Sequence, residues 1–148
     1  EFIPNLWTMD MVTSFIERMN TQLAAENYTL WAVEEKNSQQ FMGFIGLNRP
    51  VWEAHFTPCV EIGWRLAFSF WGRGYATEGA QAVLNYAFDT LKLKEIVAFT
   101  VPDNLRSQRV MEKIGMIRDI QGDFLHPKID PVNSLAKHYL FRINKQSR

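Results

Sequence analysis

The chain has 148 residues, 47% of them hydrophobic and 14% aromatic, enough apolar side chain for one packed domain and too much for a disordered segment. Sixteen basic residues balance sixteen acidic ones, so the electrostatic footprint of a nucleic-acid binder is absent. No apolar run has the length of a membrane span, no signal-peptide pattern opens the chain, and the single cysteine, Cys59, excludes a disulfide framework; together these predict a cytoplasmic protein.

Met11, Val12, Phe15, Ile16, Met19 and Leu23 recur at helical spacing and predict an amphipathic helix starting near Thr8 or Asp10, with that stripe in the core. Residues 28–35 and 40–48 read as two strands of a hairpin across a turn at 36–39. A loop, 49–58, carries Trp52, His55 and Phe56. Residues 59–68 then alternate, with Val60, Ile62, Trp64, Leu66 and Phe68 on one face and Glu61, Gly63 and Arg65 on the other, which predicts a strand with one buried face. Cys59 reads as a small strand-end residue, since no histidine pairs with it in the pattern.

After that strand, Gly72 and Gly74 form a glycine-rich turn that opens directly into a predicted helix at 75–91, whose stripe is Ala76, Ala80, Val83, Leu84, Ala87, Phe88 and Leu91. Residues 95–101, apolar on both faces around Ile96 and Phe99, predict a central strand. Pro102, Asp103 and Asn104 end that strand and cap a helix at 105–114. Residues 122–127 read as a loop and 137–143 as a final strand. With no repeat, linker or low-complexity segment, one domain is predicted over residues 1–148.

A glycine turn that opens a helix is a chemical device. The glycines tolerate positive φ and close approach of a ligand, and the helix start presents unpaired N–H groups and a positive dipole end, which suits a diphosphate. An ordinary tight turn would look the same locally. The spacing fits neither G-x-x-x-x-G-K-[ST] nor G-x-G-x-x-G. Trp71 to Ala76 instead resembles the coenzyme A loop Q/R-x-x-G-x-G/A of the GNAT acetyltransferases, with Gly74 and Ala76 matching and Trp71 in the Gln/Arg place. Asn104-Leu105-Arg106-Ser107 followed by Met111-Glu112-Lys113-Ile114-Gly115-Met116 resembles that family's N-x-x-A/S-x-x-x-[YM]-E-K-x-G-F signature, in the right order and at the right separation. The resemblance covers about residues 28–142 and is nearest to the RimJ/RimL-like branch.

The resemblance implies an α+β GNAT fold: a twisted, mostly antiparallel sheet splayed between the strand of Glu61 and the strand of Ile96, flanked by helices. It implies acetyl-CoA as co-substrate, with strand backbone at Trp64, Leu66 and Phe68 pairing with the pantetheine amides and Trp71, Gly72, Arg73, Gly74, Ala76 and Thr77 holding the diphosphate. Asn104 would orient the cofactor. Ser107, at the head of the stripe Ser107, Val110, Met111 and Ile114, would protonate the departing thiolate, because many GNAT enzymes use a tyrosine where this chain has Met111. A second reading has the Ser107 hydroxyl bonded to backbone near Asp103 or Asn104. Arg106, Arg109 and Lys113 form an outward stripe that is either solvated charge or, through one of the three, such as Arg109, or the loop's Arg73, a contact to the coenzyme phosphates.

Amide formation needs a neutral amine, so a group must take the ammonium proton. Glu61 is the candidate base by resemblance, and its alternate position on the strand is also that of a solvent-facing glutamate; His55, His126, Asp123 and His138 are weaker candidates. No cluster has metal-ligand spacing, and a metal is not implied. The implied acceptor is a protein or peptide N-terminal amine, with a polyamine or other small amine, or a CoA-binding module without turnover, as alternatives. Monomer and homodimer both remain open. Because GNAT domains usually open with a strand ahead of the first helices, a natural protein extending before Glu1 is expected, with another chain over the exposed edge as the alternative.

Overall fold

The structure, a computed structural model, describes residues 2 and 6–147. Helix α1, Met9–Glu26, starts where the Thr8 hydroxyl accepts the Met11 amide N–H at 3.2 Å. It stops at Asn27, left-handed at φ 61°, whose N–H bonds the Leu23 carbonyl. Six strands follow: β1 (Leu30–Glu34), β2 (Phe41–Asn48), β3 (Glu61–Leu66), β4 (Glu95–Thr100), β5 (Ile117–Leu125) and β6 (Lys137–Asn144). They form one sheet in the order β1-β2-β3-β4-β6-β5.

Every neighbouring pair is antiparallel except β3 and β4, which run parallel and register only at Glu61 with Val97. Beyond that point the two strands diverge toward their C-terminal ends. The cleft expected between the strands of Glu61 and Ile96 is this splay, and the fold is the α+β GNAT fold.

The alternation of β3 sorts its side chains. Ile62 and Leu66 join Ile45, Leu47, Ile96, Ala98 and Phe141 in the main core under α2 (Tyr75–Asn85) and α3 (Leu105–Lys113), which close it with Val83, Leu84, Met111 and Ile114. Gly79 lets α2 settle on β2, since a Cβ there would lie 2.5 Å from Ile45 Cδ1. Glu61 and Arg65 face the other way, opposite Asn48 and Phe44, toward α1. A second cluster of Phe56, Val97 and Leu140, with Trp52, Phe99 and Phe124 against it, covers that face of β4, β6 and β5. No helix among the described residues is long and apolar enough to cross a membrane.

Four expectations need correction. The α1 stripe is core only in part: Met19 is buried and Phe15 half-buried, while Met11, Ile16 and Leu23 are exposed, because α1 touches the sheet along one narrow line. The predicted strand at 59–68 ends at Leu66, and Phe68 opens a short 3₁₀ turn with its ring exposed. The helix at 75–91 gives way after Asn85 to one widened turn, with the Leu91 N–H on the Tyr86 carbonyl. Residues 122–125, read as loop, belong to β5, whose pairing with β6 breaks between Asp119 and Phe124 and resumes. There the Asp119 carboxylate accepts the Gly122 N–H at 3.0 Å, holding a bulge whose composition mimics a turn. Glu1, Ile3 and Pro4, on which the expectation of a missing first strand bears, lie outside the described residues.

Candidate active site

Parallel pairing places the start of β3 beside the middle of β4, so the cleft opens from Glu61 upward. The Ala67 N–H donates to the Met42 carbonyl at 2.8 Å, which fixes the odd-numbered backbone groups of β3 toward β2 and turns those of Trp64 and Leu66 toward the cleft. Trp64 and Leu66 are therefore placed as a strand edge for an extended, amide-bearing ligand. Phe68 is not, because the strand has ended. The Leu66 carbonyl accepts the Trp71 indole N–H at 2.7 Å, so Trp71 anchors the glycine loop to the same edge.

In that loop Gly72 and Gly74 take φ of 71° and 84°, and a Cβ built on either meets nothing within 4 Å. The left-handed backbone demands glycine, and the space beside it is open. Gly74 sits at the N-cap of α2 with no side-chain cap, so the first N–H groups of α2, through Ala76 and Thr77, lack a side-chain acceptor at the cap. These features fit a diphosphate. Replacing Gly74 by Val strains φ and fills the phosphate approach, so it should abolish the thermal shift produced by CoA. The ligand-free melting temperature of the variant separates lost binding from lost folding, and an undiminished CoA shift would refute this placement.

The loop is braced by a residue that the motif does not contain. Glu35, at the end of the first hairpin strand, accepts hydrogen bonds from Tyr75 Oη and from Ser38 Oγ at 2.6 Å, and pairs with Arg73 at 3.2 Å. The two hydroxyl donors and Arg73 hold its carboxyl below the usual carboxylate range. From the far bank, Arg106 of α3 stacks 4.8 Å from the Trp71 ring, while Arg109 is exposed.

The Asn104 side chain caps α3, accepting the Ser107 N–H at 3.2 Å, and donates to Thr100 Oγ1 at 3.0 Å, so one residue fixes the helix start to the end of β4. The Ser107 hydroxyl bonds neither Asp103 nor Asn104; it accepts the Trp64 indole N–H across the cleft at 3.3 Å. A hydroxyl that accepts there keeps its own proton for another partner.

On the opposite face, Glu61 is half-buried. Burial pushes its carboxyl up to about 7, against the opposing pull of a hydrogen bond from Asn48 Nδ2 at 3.3 Å and the charge of Arg18. Arg18 Nη1 in turn donates to Asn48 Oδ1 at 3.4 Å. Sequence reasoning missed Asn48 and Arg18, although an arginine among Phe15, Met19 and Gln22 on the inner line of α1 was a signal. Removing the Asn48 amide removes a bond that favours the carboxylate, so Asn48→Ala should raise the Glu61 pKa and shift the low-pH limb of any Glu61-dependent rate upward. An unmoved limb in the kcat/KM profile would show that Asn48 does not tune Glu61.

The weaker candidates lie elsewhere. His126 is driven down to about 4, chiefly by burial and next by His138, and burial also lowers His138; both rings pack in the aromatic cluster with Phe99 and Phe124. The His55 Nε2 contacts the Gly122 carbonyl at 3.0 Å, and Asp123 pairs with Arg118 at 2.7 Å. Burial, then the Glu61 charge, pushes the Cys59 thiol up to about 11, away from any nucleophilic role.

The model of the acetyltransferase (GNAT) domain family matches residues 1–117. The uncharacterized N-acetyltransferase YnaD of Bacillus subtilis is 48% identical over 59 residues, 40% of this chain and 35% of YnaD. The matches span 26% to 50% of the length of three curated relatives. Among solved structures, a GNAT-family acetyltransferase from Bacillus anthracis superposes with a TM-score of 0.72 at 30% identity, over 96% of this chain and 78% of that one. The ribosomal-protein-S5-alanine acetyltransferase of Vibrio fischeri shares the fold at TM-score 0.75 and 16% identity, over 99% of this chain and 80% of its own. A parallel splay, a glycine loop at a helix start and a family model over residues 1–117 agree: the chain belongs to the GNAT acetyltransferase family.

Proposed function

We propose that the protein transfers acetyl from acetyl-CoA to a primary amine, and that the amine is the N-terminus of a peptide or protein, as in the RimJ/RimL-like branch. The observation that carries the reading is Glu61, a half-buried carboxylate lifted to about 7 at the point where β3 and β4 part. A carboxylate there can accept a proton from an ammonium at neutral pH, which an ordinary glutamate does poorly. The peptide acceptor draws its support from the signature at Asn104 to Met116, from Ser107 in a chain with Met111 in the tyrosine place, and from the shared fold of the Vibrio fischeri protein.

Acetyl-CoA supplies an activated acyl group; the rest belongs to this chain. The amides of α2 and the loop from Trp71 to Thr77 hold the diphosphate, with Arg73 at the loop's outer side. Trp64 and Leu66 orient the pantetheine arm, and Asn104 fixes the start of α3. Glu61 takes the amine proton as nitrogen attacks the thioester carbonyl. When the tetrahedral intermediate collapses, the C–S bond breaks and Ser107 Oγ gives its proton to the thiolate. With no activated nucleophile at Cys59, transfer is direct.

Mass spectrometry of a panel of unblocked peptides, spermidine and simple amines incubated with protein and acetyl-CoA tests this. Acetylation of peptide N-termini is expected. Acetylation of polyamines alone would replace the acceptor assignment, and CoA binding without any product would make the protein a cofactor-binding module.

A further inference from the structure

Glu61, Gly63 and Arg65 share one face of β3, and the residue between the two charged ones carries no side chain. A Cβ on Gly63 would lie 3.8 Å from Glu61 Oε1 and 3.7 Å from Leu30 Cδ2, ordinary contact distances, so the Glu61 carboxylate and the Leu30 side chain border the bare backbone of Gly63. One step further, the Arg65 guanidinium stacks 4.6 Å from the Trp7 ring and 5.8 Å from Phe44. Trp7, Phe15 and Phe44 form an aromatic row with centroids 5.0 and 5.2 Å apart, and Arg18 stacks on Phe15 from the Asn48 side at 5.6 Å. An open hollow of 480 Å³ lined by Trp7, Asp10, Met11, Ser14, Phe15 and Arg18 adjoins this row.

The charge balance is uneven. Arg49, Arg73, Arg118 and Arg142 each pair with a carboxylate. Arg65 is half-buried and has no carboxylate partner among the described residues. A partly desolvated guanidinium without a counter-ion carries an uncompensated cost, which an arriving anion removes. Stacking fixes the plane of the guanidinium while leaving its N–H edge for a carboxylate. Asp10, the acidic group of the hollow, is exposed at the start of α1, where solvent screens it.

We infer that Arg65, across Gly63 from Glu61, forms an anion subsite, and that the acceptor is a peptide whose reactive amine is followed at its second or third residue by Asp or Glu. The inference rests on the peptide-acceptor reading above. Glu61 and Arg65 are two same-face steps apart on β3, about 13 Å along the strand, a span that an extended peptide with its amine at Glu61 covers by bringing the carboxylate of its second or third residue to meet the long Arg65 side chain. A polyamine would instead bring a second ammonium against Arg65 and Arg18.

The test is calorimetric titration of the CoA-loaded protein with three unblocked peptides identical except for Glu, Gln or Lys at residues two and three. The Glu peptide should bind about tenfold or more tightly than the Gln peptide, as a charge-assisted contact implies, and the Lys peptide least. Arg65→Gln should erase the Glu-over-Gln preference at unchanged CoA affinity, and Arg65→Lys should restore part of it. Equal affinities for the three peptides, no binding by any, or a preference that survives Arg65→Gln would each overturn the subsite. The peptide comparison on the wild-type protein stands even if the variants fold poorly. Preference without acetyl transfer would remove the transferase reading and keep the subsite; transfer without preference would do the reverse.

Discussion

Glu61→Gln should lower kcat by about 10²-fold, the usual contribution of a positioned base, and remove the low-pH limb of the rate profile. In the unsubstituted protein that limb should centre near pH 7, because the carboxyl is raised to about 7 and only its ionised form accepts a proton. The same shift has a consequence for stability with a definite sign. Between about pH 4.5 and 7 the unfolded chain ionises this glutamate while the folded chain does not, so the folded state loses stability as pH rises through that window. Glu61→Gln removes that loss. The variant should therefore melt higher than the parent at pH 8 and alike at pH 4, which thermal denaturation at the two values checks. A variant with full activity, or one that melts lower at pH 8, would show that Glu61 is an ordinary solvated strand residue.

Ser107→Ala should cost about 10²-fold in kcat with little change in CoA affinity, since the role proposed for the hydroxyl is on the leaving thiolate rather than on the bound cofactor. Among the described residues its hydroxyl accepts the Trp64 indole N–H, so the deletion also leaves that N–H without its acceptor. Trp64→Phe separates the two effects, because it removes the indole donor and retains the Ser107 proton. If Trp64→Phe keeps most of the turnover and Ser107→Ala does not, the proton is what matters. Asn104→Ala should reduce affinity and turnover together and cost about 1 kcal/mol of stability through the lost cap. Equal turnover in Ser107→Ala would leave the serine as a partner for Trp64 alone.

What the sequence revealed was local chemistry. The turn at Gly72 and Gly74 needs left-handed backbone, and Asn104 caps the next helix, both properties of a few consecutive residues. The alternation of Ile62, Trp64 and Leu66 likewise placed Glu61 on the opposite face. The second half of β5 was hidden because Asp119 and Gly122 build a bulge from residues that elsewhere make turns. Contacts set by register and helix placement were not readable. Asn48 meets Glu61 only because β2 and β3 pair at that register, and Arg18 joins them only because α1 crosses there. Glu35 reaches Arg73 and Tyr75 across 38 and 40 positions of the chain, a distance no local pattern spans.

The proposed mechanism needs one CoA in the β3–β4 cleft, between Glu61 on β3 and Ser107 on α3. A crystal structure of the protein with CoA tests that directly. The diphosphate should lie on the N–H groups from Gly72 to Thr77, the pantetheine amides along Trp64 and Leu66, and the sulfur within hydrogen-bond reach of Ser107 Oγ on the side that opens toward Glu61. CoA bound away from the β3–β4 splay, or a sulfur remote from both Ser107 and Glu61, would contradict the account.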